Sequence, residues 1–154
     1  MVDTVRVEVK GLRALGLALK ALDNDIGVKI ARSVTNAGAQ VIKKRAKAAA
    51  HVAANAYKAY PQAGAKPIDV DPGNVPNNIV VKRVKSKLTS EHIVTVRGKK
   101  KYKYAARTAI FMEFGTVKQR AYPFMRPAFD GGKREALDVM IKRLQRRIAR
   151  ANNS

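Results

Sequence analysis

The pattern of apolar and polar positions predicts a strand, a short helix and a long helix before residue 61. Residues 4–10 alternate between valine and polar side chains, which is the period of a half-buried strand. Residues 12–22 carry leucines at helical spacing, and Asp23-Asn24-Asp25 then ends that helix and supplies an N-cap for the next. The longest helix is predicted from residue 26 to about residue 60. Its apolar stripe is Ile30, Val34, Ala37 and Val41, and its Ala-rich end allows another backbone to approach closely.

The second half of the chain predicts a loop, a hairpin and a final helix. Residues 61–77 contain four prolines and two glycines, which favours a long loop without regular structure. One strand begins at Ile79 and a second covers residues 92–97, joined by a connection at 85–90. Residues 104–116 fit either a strand or a short helix. Pro127 suits the first turn of a helix that continues to about Ala151.

These elements indicate an α+β fold, with a small, mostly antiparallel sheet packed by a long central helix and a C-terminal helix. A chain of 154 residues is expected to form a single domain over 1–154, which includes a Pro- and Gly-rich loop at 61–77.

Charge is the next strong feature. The chain has 32 Lys and Arg against 11 Asp and Glu, a net charge of +21. The excess lies in residues 26–60, 78–103 and 128–154, whereas residues 1–25 are balanced. Self-repulsion of this size calls for a polyanion or an acidic partner that neutralises it.

Residues that could carry chemistry are scarce. The chain has no cysteine and no apolar run long enough to span a membrane. His51 and His92 lack neighbouring ligands for a metal site, and the possible oxygen ligands Asp69, Asp71 and Asn74 depart from the spacing of a calcium loop. We therefore expect no enzymatic activity, no cofactor and no metal.

A compact aromatic segment, residues 104–129, holds one acid, Glu113, between Met112 and Phe114. A carboxylate with apolar neighbours needs a partner if it is buried. Glu113 is therefore interpreted as structural, either capping the turn at Gly115-Thr116 or pairing with an arginine such as Arg126. A general base would need a partner that the sequence does not offer nearby.

The basic clusters allow three interpretations: a solvated charged face, a surface that binds phosphates, or a surface that docks on acidic proteins. Tyr102 and Tyr104 adjoin the lysines at 99–101 and 103, which is a modest sign of nucleic-acid binding. The candidate contacts with DNA or an acidic partner are Lys82, Arg83, Lys85, Lys99, Lys100, Lys101 and Lys103.

The segment from Phe111 to Phe129 resembles the head–tail joining proteins of tailed bacteriophages, also called neck or tail-completion proteins. The resemblance rests on aromatic-x-Glu-Phe-Gly-Thr at Phe111 to Thr116 and on Pro-Phe-Met-Arg-Pro-Ala-Phe at Pro123 to Phe129. The order of the other elements is similar too, although the loop at 61–77 is longer and the positive charge higher than the resemblance leads one to expect.

This resemblance implies a structural virion protein that forms a ring, commonly hexameric, at the head–tail junction, after synthesis in the host cytoplasm. It implies contacts with connector or head-completion proteins and with tail-terminator or tail-tube proteins, transient non-specific contact with passing DNA, and no membrane. The alternative function is a free-standing basic nucleic-acid-binding protein. The aromatic segment is expected either to pack in its own core or to contact the next subunit through Phe111, Glu113, Phe114, Tyr122, Phe124, Met125, Arg126 and Phe129.

Overall fold

A computed structural model of the chain describes residues 16–17, 24–59, 66–85, 90–98 and 103–152. In chain order the elements are helix α1 (Asn24–Ala49), strands β1 (Tyr57–Ala59) and β2 (Ile68–Val70), the short helix α2 (Asn74–Asn77), strands β3 (Ile79–Arg83) and β4 (His92–Val96), and helices α3 (Lys103–Phe114) and α4 (Met125–Asn152). The predicted α+β class is confirmed.

The two long helices, α1 and α4, pack against each other in antiparallel orientation. Arg45 near the end of α1 donates to Glu135 in the first half of α4, whereas Ser33 near the start of α1 accepts from Arg143 further along α4. At the centre, Gly38 lies against Met140, and a Cβ added at Gly38 would overlap the Met140 thioether. The absence of a side chain at residue 38 therefore lets the helices approach closely.

Helix α1 differs from its prediction in length and in buried face. It ends at Ala49 rather than near residue 60. The stripe begins as predicted with Ile30 and Val34, but it continues through buried Gly38 and Ile42, not through the half-buried Ala37 and Val41. Beyond Ala50 no buried side chain extends the stripe to residue 59, and packing rather than alanine propensity decides where a helix ends.

The segment predicted as a structureless loop contains regular structure where it is described. Strand β2 pairs antiparallel with β1, matching Tyr57 to Val70 and Ala59 to Ile68, and α2 follows directly. The proline-based prediction was wrong here because Pro67 precedes β2 and Pro72 follows it, so neither removes a donor from the ladder. The predicted hairpin is confirmed, with β3 pairing antiparallel with β4 from Ile79–Val96 to Arg83–His92.

A core built from small and large side chains joins these elements. Phe124 and Ile79 are fully buried, and they pack with four alanines and with Val75 and Met112. The alanines are Ala46, Ala50, Ala109 and Ala128, so the Ala-rich end of α1 does allow close approach. Residues 104–116, ambiguous from the sequence, are mainly helical in α3.

Some predicted elements lie outside the described residues. The strand at 4–10 is one of them, and so is most of the helix at 12–22, of which Gly16 and Leu17 are described and helical. The final helix was predicted closely: Pro127 lies in the first turn of α4, and the helix continues to Asn152.

Candidate assembly surface around helix α3 and the start of helix α4

Helix α3 divides its side chains between the core and the surface. Ala105, Ala109 and Met112 face inward at steps of four and three, and Glu113 joins them. On the other side, Ile110 and Phe114 are one turn apart and more than half exposed. An exposed isoleucine and phenylalanine on one helix face form an apolar surface that the described residues leave uncovered.

The link from α3 to α4 folds back sharply after Phe114. Gly115 has φ +77°, a left-handed conformation, and its N–H donates to the carbonyl of Phe111 at 2.8 Å. Thr116 and Gln119 then close a small turn, and the N–H of Tyr122 donates to the carbonyl of Met112 at 2.7 Å. These bonds return the chain to the end of α3 and position the start of α4.

We expect Gly115→Ala to destabilise the protein by about 2 kcal/mol or more. An alanine at this positive φ costs about 1–2 kcal/mol, and its Cβ would lie within 3.0 Å of two backbone atoms of residues 119 and 121. Gly131→Ala is the matched control, since Gly131 lies in α4 and its added Cβ would meet nothing closer than 3.6 Å. Urea unfolding should show the control unchanged or up to about 1 kcal/mol more stable. Equal effects of the two substitutions would contradict the role assigned to the turn.

Glu113 binds the first turn of α4 with both carboxylate oxygens. Its Oε2 accepts from the backbone N–H groups of Phe124 and Met125 at 2.8 and 2.9 Å. Its Oε1 accepts from the backbone N–H of Arg126 at 3.3 Å and from the Arg126 Nε at 3.0 Å. The first N–H groups of a helix lack partners within it, and a negative charge there is favourable. Glu113 is thus a helix cap supplied by a neighbouring helix.

This geometry decides between the two structural roles predicted for Glu113. The pairing with Arg126 is confirmed, and Arg126 also donates from Nη2 to the Glu113 carbonyl at 3.2 Å. The cap of the turn at Gly115-Thr116 is wrong, because the carboxylate is directed to α4 instead.

The environment of Glu113 acts on its pKa in two directions. Burial raises the pKa, while the hydrogen bonds from Met125, Phe124 and Arg126 lower it and outweigh burial. The net result is a pKa below the ordinary value of 4.5, so the group is ionised at neutral pH.

Four large apolar side chains surround Arg126 at the surface: Ile93, Ile110, Phe114 and Phe129. Each is between 53% and 69% exposed. They line two adjoining grooves of about 390 and 880 Å³, which share Val94, Met125 and Arg126 as lining residues. The Arg126 guanidinium lies 5.3 Å from the centre of the Phe114 ring. We call Ile93, Ile110, Phe114, Arg126 and Phe129 the apolar surface.

The predicted interface residues divide among three environments. Phe114, Arg126 and Phe129 belong to the apolar surface, and Met125 is half-buried beneath it. Glu113 and Phe124 are buried within the chain. Phe111 and Tyr122 lie on another side, where Arg107 contacts the Phe111 ring and His51 stacks on Tyr122. Of the five aromatics in the predicted set, only Phe124 packs in the core, and the other four are exposed.

Sequence reasoning missed Ile93 and Ile110. Ile110 precedes Phe114 by one helical turn, so the two share a helix face. The sequence could have indicated this only if residues 104–116 had been assigned to a helix. Ile93 alternates with the half-buried Val94 in β4, so the strand pattern shows opposite faces but not which one is covered.

The predicted basic contacts are only partly described. Lys82 and Arg83 are exposed at the end of β3, and Lys85 is exposed just beyond it. Lys99, Lys100 and Lys101 lie outside the described residues, and Lys103 is the first residue of α3. The described part therefore places three of the seven at the surface of one hairpin.

The two histidines have ordinary packing roles. Thr35 Oγ1 and His92 Nδ1 are 2.8 Å apart, which joins α1 to β4, and His51 stacks on Tyr122. Within the described ranges, no group of three or more acidic or histidine side chains is placed to hold a metal ion. No helix in these ranges combines the length and the apolar character needed to cross a bilayer.

Comparison with known families defines the class of protein. Residues 13–115, about two thirds of the chain, match a family model described as "Bacteriophage HK97-gp10, putative tail-component". The matched class is that of phage structural proteins, which confirms the resemblance drawn from residues 111–129. The chain belongs to the HK97-gp10-like family of bacteriophage tail components. No curated protein and no solved structure matched the chain.

The match includes most of the scaffold and part of the apolar surface. It covers α1, both hairpins and α3, with Ile93, Ile110, Phe114 and the Glu113 carboxylate, and it ends at Gly115. Arg126, Phe129 and all of α4 lie beyond it.

Proposed function

We propose that this tail-component protein assembles into a ring at the head–tail junction of a tailed phage, where it joins the connector to the tail and lets DNA pass. Membership of a phage tail-component family supports a structural role in the virion. The observation that carries the assembly step is the apolar surface, which leaves four large apolar side chains more than half exposed around one arginine.

The composition of the apolar surface favours contact with protein. Aromatic residues and arginine are enriched in protein interfaces, and a contiguous apolar patch on one face of a soluble chain commonly marks an interaction site. Charged side chains, including Glu91, Asp130 and Lys133, also line the larger groove. Protein interfaces commonly combine apolar side chains at the centre with polar side chains around them.

A ring sets a further requirement on the interface. Each subunit must present two different surfaces, one to each neighbour, related by a rotation that closes. We assign the apolar surface to one of these two contacts, with a second copy of this chain as its partner. Six copies is the expected number, and connector and tail proteins would meet the two open faces of the ring.

The alternative of a free-standing nucleic-acid-binding protein is less well supported. It explains the net charge of +21 but neither the family membership nor the exposed apolar side chains. The ring proposal also accounts for the basic residues, because they would form a surface that contacts the passing DNA.

Native mass spectrometry of the purified full-length chain tests the proposal. We expect one closed oligomer of a single mass, corresponding to six copies, together with free monomer at low concentration. A strictly monomeric chain at all concentrations would contradict the assembly step. A ladder of increasing masses would contradict closure, because an interface that does not close by rotation gives open filaments.

A further inference from the structure

Charge is distributed unevenly along helix α4. Its first half, residues 125–138, has three basic and three acidic side chains, whereas residues 139–154 have five basic side chains and no acid. The five are Lys142, Arg143, Arg146, Arg147 and Arg150, and we call them the basic face. The positive charge of α4 is therefore concentrated in its second half.

All five side chains of the basic face are exposed. Their positions, at steps of one, three, one and three, place them in two neighbouring rows along one side of α4. The rows extend over about 12 Å, since a helix rises about 1.5 Å per residue. The Arg143 Nε donates a hydrogen bond to Ser33 Oγ on α1 at 3.1 Å, which restricts the position of this side chain.

Helix α1 adds basic side chains to the same region of the protein. Because the two helices are antiparallel, the start of α1 lies beside the end of α4, and it brings Lys29 and Arg32 to this region. The sequence between residues 26 and 60 contains no acid. Residues 26–32 thus add two bases and no acid to the five of the basic face, and Asp25 and Asp138 lie at the borders of this region.

The chemistry of the basic face differs from that of the apolar surface. The large apolar residues of this half of α4, Ile141, Leu144 and Ile148, are buried or half-buried, and the exposed positions among residues 141–150 carry no large apolar side chain. A protein interface usually has an apolar centre, and single-stranded nucleic acid is usually held by stacking on aromatics. A face of only basic groups suits the evenly spaced phosphates of a duplex, which arginine and lysine bind without reading sequence.

We propose that the basic face of α4 binds the phosphate backbone of duplex DNA. This inference rests on the proposed function and deepens it, because it assigns the contact with passing DNA to α4 rather than to the β3–β4 hairpin. Binding is sequence-independent and weakens steeply as salt rises, since neutralised phosphates release their counterions.

Fluorescence anisotropy with a short labelled duplex tests the assignment across a series of salt concentrations. The double variant R146Q/R147Q removes two charges from the basic face, and K82Q/R83Q removes two from the hairpin as the matched control. Loss of two phosphate contacts should make the log–log slope of affinity against salt shallower by about 1.8 and weaken binding at 0.1 M salt by roughly 10- to 100-fold. The hairpin variant should bind within about threefold of the wild type.

Three results would overturn the inference. The first is no duplex binding by the wild type at low salt, and the second is a loss in the hairpin variant as large as in R146Q/R147Q. The third is displacement of the duplex by polyglutamate at equal charge concentration, which would indicate an acidic protein as the ligand instead. Native mass spectrometry of the same samples separates this from the proposed function: a monomer that binds DNA through α4 contradicts the ring alone, and a ring indifferent to DNA contradicts the inference alone.

Discussion

Replacement of Phe114 by glutamate is expected to convert the assembled protein into monomers. Phe114 is 69% exposed, the most exposed residue of the four apolar side chains of the apolar surface, and lies within cation–π distance of Arg126. A carboxylate there would have to be desolvated on assembly, and truncation of an aromatic anchor of an interface alone costs about 2 kcal/mol or more. A loss of that size weakens each subunit contact by roughly 30-fold. Native mass spectrometry at fixed concentration measures the change.

Val28→Glu is the matched control for this assembly experiment. Val28 is an exposed apolar residue of α1, and the antiparallel packing places it near the end of α4, roughly 30 Å from Arg126 by helix rise. The Val28→Glu substitution introduces the same charge outside the apolar surface, so we expect this variant to form the same oligomer as the wild type. Both variants should keep the wild-type circular dichroism spectrum, because neither residue is buried. An intact oligomer in Phe114→Glu would remove the apolar surface from the subunit interface.

Glu113→Ala should destabilise the chain by roughly 3 kcal/mol. The substitution leaves the N–H of the fully buried Phe124 and those of Met125 and Arg126 without their acceptor, and it leaves the Arg126 guanidinium without its carboxylate. An unsatisfied buried donor costs about 1–3 kcal/mol, and three backbone donors lose their acceptor here. Loss of the ion pair itself adds about 1 kcal/mol or less, because the Arg126 side chain is largely exposed to solvent. Urea unfolding gives the value.

Glu135→Ala is the control for this stability measurement, since it removes the same residue type from another arginine pair. The pair between Glu135 and Arg45 is about half exposed on both sides, and exposed pairs contribute about 1 kcal/mol or less. We expect Glu113→Ala to lower the free energy of unfolding strongly and Glu135→Ala to lower it only slightly. Similar decreases in the two variants would show that the Glu113 carboxylate does not hold the start of α4 as described.

The contribution of Glu113 should also depend on pH. Because its folded pKa is lowered, the stabilisation is fully present above the ordinary value of 4.5 and is lost as pH falls through the folded pKa. The stability difference between the wild type and Glu113→Gln should therefore stay constant from neutral pH to about pH 5 and shrink below pH 4.5. Urea unfolding of both proteins over that range provides the test, and a difference that grows toward low pH would mean that the folded pKa is raised.

The sequence predicted secondary-structure elements most accurately where the periodicity of apolar residues agrees with the packing. Helix α4 ends at Asn152, close to the predicted end at Ala151, and the β3–β4 hairpin follows from alternation alone. Helix α1 was predicted too long because alanine propensity continues after Ala50, where buried contacts stop. The β1–β2 hairpin was missed because its pairing is set by tertiary contact, and three-residue strands carry too short a pattern to detect.

The candidate site could be predicted in composition but not in orientation. The sequence identifies the aromatic segment and the pairing of Glu113 with Arg126. It cannot show that Phe124 points into the core while Phe114 and Phe129 point outward, because these directions depend on the fold-back after Gly115. The sequence also shows the bases of α4, but their common exposed side becomes evident only once the packing against α1 is known.

Averaged electron-microscope images of virions labelled with an antibody to this chain test the central claim most directly. The account predicts label at the junction between head and tail tube, and end-on class averages of the isolated neck with a single ring of rotational symmetry. Label along the tail or at its distal tip, or a neck without that ring, would contradict it.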